Sequence, residues 1–186
     1  MTVQAREAPA RGTAEVADGP SRRDRLYDEA VATHGPALAR LARAYEADGE
    51  LCRDLQQDIH VALWRSLETF DERCSLRTWV YRVAHNVACT HVVRAKRGVG
   101  LVSLDELELP AQADDEAHAD RRIALERLLK LIHRLAPLER QVILLYLEGM
   151  DNGTIAEITG LSSANLNTKV HRIKKILADR FREGGV

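Results

Sequence analysis

The segment IAEITGLSSANLNTKVHRIKKIL, residues 155–177, predicts two short helices separated by a Gly-Leu-Ser corner. Apolar residues recur in the second helix at steps of four, three and four, which places them on one buried face. These residues are Leu166, Val170, Ile173 and Leu177. Gly160 can adopt the left-handed conformation that ends the first helix, and Ser162 or Ser163 can cap the second. The segment therefore predicts a helix-turn-helix.

The opposite face of the second helix carries hydrogen-bond donors and cations. These are Asn165, Thr168, Lys169, Arg172 and Lys175. Amides and hydroxyls near the start of a helix can read base edges in a major groove, while lysine and arginine neutralise phosphates. A solvated outer face of a helical hairpin is the alternative, because short motifs are only hypotheses.

The composition of the whole chain favours an all-α class with two small domains. The 186 residues are 45% hydrophobic, enough to bury a core, and only 4% aromatic. Alternating strand-like runs are nearly absent. The sequence contains no run of eighteen apolar residues and no apolar signal core, so we expect a cytoplasmic protein without membrane insertion.

The three cysteines, Cys52, Cys74 and Cys89, are odd in number and far apart, which fits reduced thiols. His85 and Cys89 are expected to share a helix face, but two ligands do not make a metal site. We therefore expect no metal and no cofactor. A redox role for the cysteines is left open.

The formal net charge of −1 conceals two basic segments. Residues 76–97 contain five cations and no acid, and residues 163–186 are also rich in lysine and arginine. Much of the compensating acid lies between residues 99 and 120. Such a distribution is typical of two nucleic-acid-binding segments joined by an acidic connection.

The pattern along the chain divides it into four parts. Residues 1–23 have no periodicity and are predicted to form a disordered tail. Residues 24–98 predict a helical domain, and residues 99–120 a flexible acidic linker. Residues 121–186 predict a four-helix domain that contains the helix-turn-helix. The fold class is thus all-α, with two small helical domains joined by a flexible linker.

Helical periodicity also predicts which residues face the core. For the second helix they are Leu51, Leu55, Ile59, Ala62, Leu63 and Leu67. In the second domain they are Ile123, Leu125, Leu128, Leu129, Ile132 and Leu135, followed by Val142, Ile143, Leu145, Tyr146 and Leu147. Ser75 is predicted to cap a third helix, Trp79 to lie in its core face, and Pro137 to open a helix of the second domain.

Several segments resemble motifs of one family. Residues 54–59, DLQQDI, are similar to its D-L-x-Q-E-x-F segment, and residues 75–86, SLRTWVYRVAHN, to its F-R-T-W-L-x-x-I-A-x-N segment. Residues 135–140, LAPLER, with 155–162 and 171–175, resemble its L-P-x-x-x-R, I-A-E-I-x-G and H-R-A-R-x-x-L pattern. These motifs, in this order, resemble the extracytoplasmic-function (ECF) class of bacterial sigma factors, the promoter-recognition subunits of RNA polymerase.

The sequence departs from the family pattern at a few positions. Asp58 replaces the usual Glu, and His60 replaces the usual Phe. Thr90 stands where Asp or Asn is common, and residues 165–167 read Asn-Leu-Asn where Thr-Val-Lys is frequent. These departures bear on the promoter sequence more than on the function.

The resemblance implies a role for each group of residues. Asp54, Gln57 and Asp58 would bind the clamp helices of the polymerase β′ subunit, with a solvated helix face as the alternative, and the β flap would be a second polymerase contact. The expected contacts to the −10 element are Phe70, Ser75, Arg77, Arg82, Asn86, Thr90, Arg94, Lys96 and Arg97. The expected contacts to the −35 element are Ser163, Asn165, Asn167, Thr168, Lys169, His171, Arg172 and Lys175. The family also implies regulation by an anti-sigma factor.

Phe70 and Asn86 have a special place in this expectation. The family holds a flipped −10 base in a pocket, and an aromatic ring with an amide suits stacking and edge recognition. Alternatively, Phe70 is a loop anchor buried against Trp79. For Asn86 we favour a DNA contact, because an amide among apolar neighbours needs a partner.

The sequence contains no arrangement typical of catalysis, so we expect a protein that is not an enzyme and that opens DNA by binding energy. Two other functions remain as alternatives. A dimeric helix-turn-helix regulator explains residues 155–177 but not the features of the first domain. An all-α adaptor without a DNA role explains neither basic segment.

Overall fold

The computed structural model describes the backbone of residues 20–98 and 116–183 and the side chains of residues 20–95 and 121–183. This part of the chain contains seven α-helices, a short 3₁₀ turn at Leu67–Thr69 and no strand. The helices are α1 (Arg22–Tyr45), α2 (Gly49–Ser66), α3 (Leu76–Gly98), α4 (Glu116–His133), α5 (Pro137–Leu147), α6 (Asn152–Thr159) and α7 (Ser163–Glu183). The predicted all-α class is confirmed.

Two of the expected segment boundaries differ from the structure. α1 begins at Arg22 because Ser21 and Asp24 cap each other's backbone amides, so residues 22 and 23 are helical and not part of a tail. α4 begins at Glu116, so residues 116–120 are helical and not part of a linker. Residues 1–19 of the predicted disordered tail and residues 99–115 of the predicted flexible linker lie outside the described residues.

Helices α1, α2 and α3 pack against one another and form the first bundle. Leu55, Ile59, Leu63 and Leu67 are buried in its core as predicted, but Leu51 is 47% exposed. The buried stripe of α2 passes through Cys52, three residues before Leu55, and this rotation turns Leu51 outward.

Helices α4 to α7 form the second bundle. Gly160 has a φ of 73° and ends α6 by donating its amide to Ala156 O, which confirms the predicted left-handed corner. All four residues of the predicted apolar stripe of α7 are buried, and α5 begins at Pro137 as expected.

Part of the predicted core of the second bundle is exposed. Ile123 and Leu125 are 59% and 49% exposed, because only the later part of α4, with Ile132, reaches the core. Tyr146 and Leu147 at the end of α5 are also exposed, since the buried face of that helix runs through earlier residues. Periodicity therefore identified the apolar face of each helix. It could not show how much of that face the neighbouring helices cover.

The two bundles are in contact. α1 packs against α4, and α3 packs against both α5 and α6. The basic face of α3 therefore lies beside the helix-turn-helix, which is formed by α6 and α7.

Candidate nucleic-acid interface

The polar face of α7 is presented to solvent. Its exposed members are Ser163, Asn165, Asn167, Thr168, His171, Arg172 and Lys175, and Lys169 is half-buried. Ser162 caps the helix weakly, since the amide of Asn165 lies 3.5 Å from its Oγ. Asn152 of α6 donates from Nδ2 to Asn167 Oδ1 at 2.5 Å, which ties the two helices of the motif together. The predicted row is thus accessible to a DNA groove.

Two cations of this row are oriented by a carboxylate of α5. Arg172 Nη2 donates to Glu139 Oε1, and Lys169 Nζ lies 3.9 Å from the same oxygen. The side chain of Glu139 is only 19% exposed, so this contact restrains both cations beside the groove-facing row. Sequence reasoning did not anticipate this contact, because Glu139 lies 33 residues before Arg172 and no periodicity connects them.

The start of α3 is built as predicted. Ser75 Oγ accepts from the amide of Thr78 at 3.1 Å, which makes Ser75 the cap of the helix. Ser75, Arg77, Asn86, Thr90 and Arg94 are exposed, and the side chains of Lys96 and Arg97 lie outside the described residues. The amide of Asn86 faces solvent, so our argument that apolar neighbours force it to find a partner is wrong. Its exposure nevertheless leaves it accessible to a base.

Phe70 lies in the core and not on the DNA-facing surface. Its side chain is 6% exposed, and its ring centroid is 5.3 Å from that of Trp79, with the rings tilted by 53°. Trp79 is half-buried against the core, and its Nε1 donates to Ser66 Oγ at 3.0 Å. The expectation that Phe70 is displayed to stack on a base is therefore contradicted for this conformation. The structure favours the alternative, a loop anchor, because stacking requires the ring to leave Trp79.

The expected polymerase-binding residues form an outward-facing patch on α2. Asp54, Gln57 and Asp58 are exposed, and the next residue of the same stripe, Val61, is 40% exposed. An accessible apolar side chain beside two carboxylates suits a protein contact.

A polar cluster that the sequence predicted only in part joins Tyr45 of α1 to two residues of α3. Tyr45 Oη is 3.0 Å from His85 Nδ1 and 3.7 Å from Cys89 Sγ, so His85 and Cys89 do share a helix face. His85 is fully buried, and burial lowers its pKa to about 3. Burial raises the pKa of Cys89 and of Cys74, which favours the protonated, less reactive thiol. Tyr45 lies 40 residues before His85, and no periodicity in the sequence connects the two.

Comparison with known proteins matches two separate parts of the chain to family models. Residues 30–98 match the model of sigma-70 region 2, and residues 125–177 match that of sigma-70 region 4. The chain is 30% identical over 172 residues to the RNA polymerase sigma factor CnrH of Cupriavidus metallidurans, covering 87% of this chain and 90% of CnrH. It is 28% identical to the ECF RNA polymerase sigma factor SigG of Mycobacterium tuberculosis, covering 74% of this chain and 44% of SigG.

The fold is also similar to a solved structure of CnrH in complex with the cytosolic domain of CnrY. The TM-score is 0.62 at 25% sequence identity, and the similarity covers 86% of this chain and 89% of that chain.

Two helical bundles with a helix-turn-helix in the second, together with these matches, define a transcription initiation factor. The chain belongs to the ECF class of the sigma-70 family of RNA polymerase sigma factors. Among the described helices, none is long and apolar enough to cross a bilayer.

Proposed function

We propose that this sigma factor directs core RNA polymerase to promoters by binding the −10 element with residues 24–98 and the −35 element with residues 121–186, with residues 99–120 as the linker. The observation that supports this proposal is that two separate bundles of one chain each carry an exposed basic helix, α3 and α7. The protein opens DNA in the cytoplasm by binding energy and performs no bond chemistry itself.

The α2 patch supports a polymerase contact at the β′ clamp helices, with the β flap as a second polymerase contact. Asp54 and Asp58 are exposed, so water solvates their carboxylates and their charge is available to cations of another protein. The exposed Val61, three residues after Asp58 on the same helix, adds apolar area to this surface.

The experiment that tests this proposal is run-off transcription with purified core polymerase and the variant Asp58→Lys. Reversing an exposed charge should leave the fold intact and reduce both polymerase binding and transcript yield. Glu29→Lys on α1 is the matched control, because Glu29 is also an exposed acid but lies outside the patch. Equal polymerase binding by both variants would remove the patch from the proposed interface.

The −35 contacts are supported by the exposure of α7. Asn165 lies near the start of that helix, where side chains reach base edges, so Asn165→Ala should change the base preference in a binding-site selection. A lost base contact corresponds to about 1–3 kcal/mol of discrimination. Lys174→Ala is the control, since Lys174 points toward Tyr146 Oη at 3.3 Å. Identical preferences for Asn165→Ala and the parent chain would exclude the base-reading role.

Regulation by an anti-sigma factor is part of the same proposal. The solved relative CnrH is bound to the cytosolic domain of CnrY, and this chain has the same fold along most of its length. The exposed apolar residues Ile123, Leu125 and Leu147 of the second bundle offer area for such a protein.

A further inference from the structure

The first residue of α6 is hydrogen-bonded to the second helix of the helix-turn-helix. Asn152 donates from Nδ2 to Asn167 Oδ1 at 2.5 Å, across 15 residues of the sequence. Asn152 is half-buried, whereas Asn167 is exposed on the face of α7 that we expect to contact the −35 element. One partner of the pair is therefore held within the motif, and the other is accessible to DNA.

The position of Asn152 is fixed by the start of α6. Asp151 caps this helix, because its Oδ1 accepts from the amide of Thr154 at 3.0 Å and its Oδ2 accepts from the Thr154 hydroxyl at 2.7 Å. The backbone oxygen of Asp151 accepts from the amide of Ile155 at 3.0 Å, and the Ile155 side chain is fully buried. Asn152 lies between these anchored residues.

The position of Asn167 is fixed by the buried stripe of α7. Its neighbour Leu166 is 0% exposed, and Val170, three residues further along, is also buried. The helix cannot turn about its axis without removing this stripe from the core. What remains adjustable is the plane of the Asn167 amide, whose last torsion has two broad orientations. The hydrogen bond from Asn152 selects one of them.

The two ends of an asparagine amide differ in hydrogen-bonding chemistry. The oxygen accepts hydrogen bonds, and the NH₂ group donates them. Because Asn167 Oδ1 accepts from Asn152, the NH₂ end of Asn167 is turned away from Asn152 and left to donate elsewhere. In a major groove, guanine presents two acceptors, whereas cytosine presents an amino donor. An amide held in this orientation therefore suits guanine and opposes cytosine.

We infer that Asn152 is a positioning residue that decides which base Asn167 reads, so that the pair favours guanine over cytosine in the −35 element. The inference rests on the proposed binding of α7 to that element and deepens it. Asn152 acts through Asn167 and needs no DNA contact of its own. The pair depends on the residue types of this chain, since position 167 is asparagine where lysine is frequent in the family pattern, and lysine has no acceptor for Asn152.

The test replaces the donor at position 152 with an acceptor. Asn152→Asp places a carboxylate, which only accepts, beside Asn167. The Asn167 amide should then turn over, donate from Nδ2 to the new carboxylate and present Oδ1 to the DNA. An acid in the first turn of a helix is favourable, so α6 should keep its structure. Circular dichroism and the urea midpoint check that it does.

Binding-site selection measures the base preference of the full chain with core RNA polymerase, on promoters randomised only in the −35 element. Asn167→Ala identifies the base pair that Asn167 reads, because the preference is lost there. At this base pair the parent should favour guanine over cytosine by about fivefold, the lower end of the range for a specific base contact. Asn152→Asp should reverse the preference, and Asn152→Ala should relax it, because the amide can then turn either way.

The same exchange in the Asn167→Ala background is the matched control. Without the amide, Asn152→Asp should leave the selected sequence unchanged, although it introduces the same charge. A direct contact of Asn152 with a phosphate predicts a different result. Substituting Asn152 would then weaken binding to all sequences alike and reduce the salt dependence in both backgrounds.

Three results would overturn the inference: an unchanged preference in both Asn152 variants, a preference that changes equally with and without Asn167, or the uniform weakening that a phosphate contact predicts. A parent chain that selects no −35 sequence with core polymerase would refute the proposed function, and this inference with it. A parent that selects a −35 sequence which the Asn152 variants leave unaltered would refute this inference alone.

Discussion

Replacing Phe70 with alanine distinguishes an anchoring role from a base-stacking role. The ring is 6% exposed and lies 5.3 Å from Trp79, at the junction between the 3₁₀ turn and the loop that leads to α3. Phe→Ala in a core lowers the free energy of unfolding by about 3–5 kcal/mol. Because Phe70 lies at the edge of the core, we expect about 3 kcal/mol. Roughly 0.5–1.5 kcal/mol of it comes from the aromatic pair.

Urea unfolding followed by tryptophan fluorescence measures this loss in the relevant bundle, since both tryptophans, Trp64 and Trp79, lie in α2 and α3. With a denaturant dependence of about 2 kcal/mol per molar urea, the midpoint should fall by about 1.5 M. Phe181→Ala is the matched control, and because Phe181 lies in α7, circular dichroism follows the unfolding of both variants. Its ring is half-buried and pairs with the Arg127 guanidinium at 4.6 Å, so its removal should lower the stability by only about 1 kcal/mol.

Transcription assays complete the comparison. An anchoring Phe70 predicts that Phe70→Ala is equally defective on a duplex promoter and on a template already mismatched across the −10 region. The opposite result is a variant that keeps the parent's urea midpoint, fails on duplex DNA and recovers on the premelted template. This result would refute the anchoring role and support the base-stacking role of Phe70.

Two further predictions concern stability. Burial lowers the pKa of His85 to about 3, whereas the unfolded chain takes up this proton near 6.5, so the free energy of unfolding should fall as the pH drops through this window. The loss should reach about 2 kcal/mol between pH 6.5 and 5, and equal pH dependence in His85→Gln would contradict it. Gly160→Ala should lower stability by about 1–2 kcal/mol, because a φ of 73° is unfavourable for alanine although nothing lies within 4 Å of the added carbon. Gly49→Ala is the control: its added carbon also meets nothing within 4 Å, but Gly49 lies in the first turn of α2, so this change should not be destabilising. Equal urea midpoints for the two variants would rule out the backbone explanation.

Local features of this protein could be predicted from the sequence because they depend on neighbours within about one helical turn. The apolar stripe of α7, the Gly160 corner, the Ser75 cap and the start of α5 at Pro137 were all predicted in this way. Each follows from a period of 3.6 residues or from the backbone preference of one residue type. The family motifs depend on the same short segments, so the class of protein was also within reach of the sequence.

The tertiary structure decided which of the predicted residues are available. Phe70 sits against Trp79 and not on the surface, and Leu51 lies outside the core although its spacing suits the stripe. Both outcomes depend on how far neighbouring helices extend and on the rotation of α2, which no single helix encodes.

Contacts between distant residues were likewise beyond the sequence. Glu139 meets Arg172 across 33 residues, Glu148 meets Tyr81 across 67, and Glu157 meets Arg82 across 75. A charged residue on an exposed helix face gives no periodic signal of its partner, because its sequence neighbours do not determine which helix will pack beside it. The sequence by itself therefore determined most of the helices and the two basic faces, whereas only the packing of α6 on α3 decided that Glu157 pairs with Arg82.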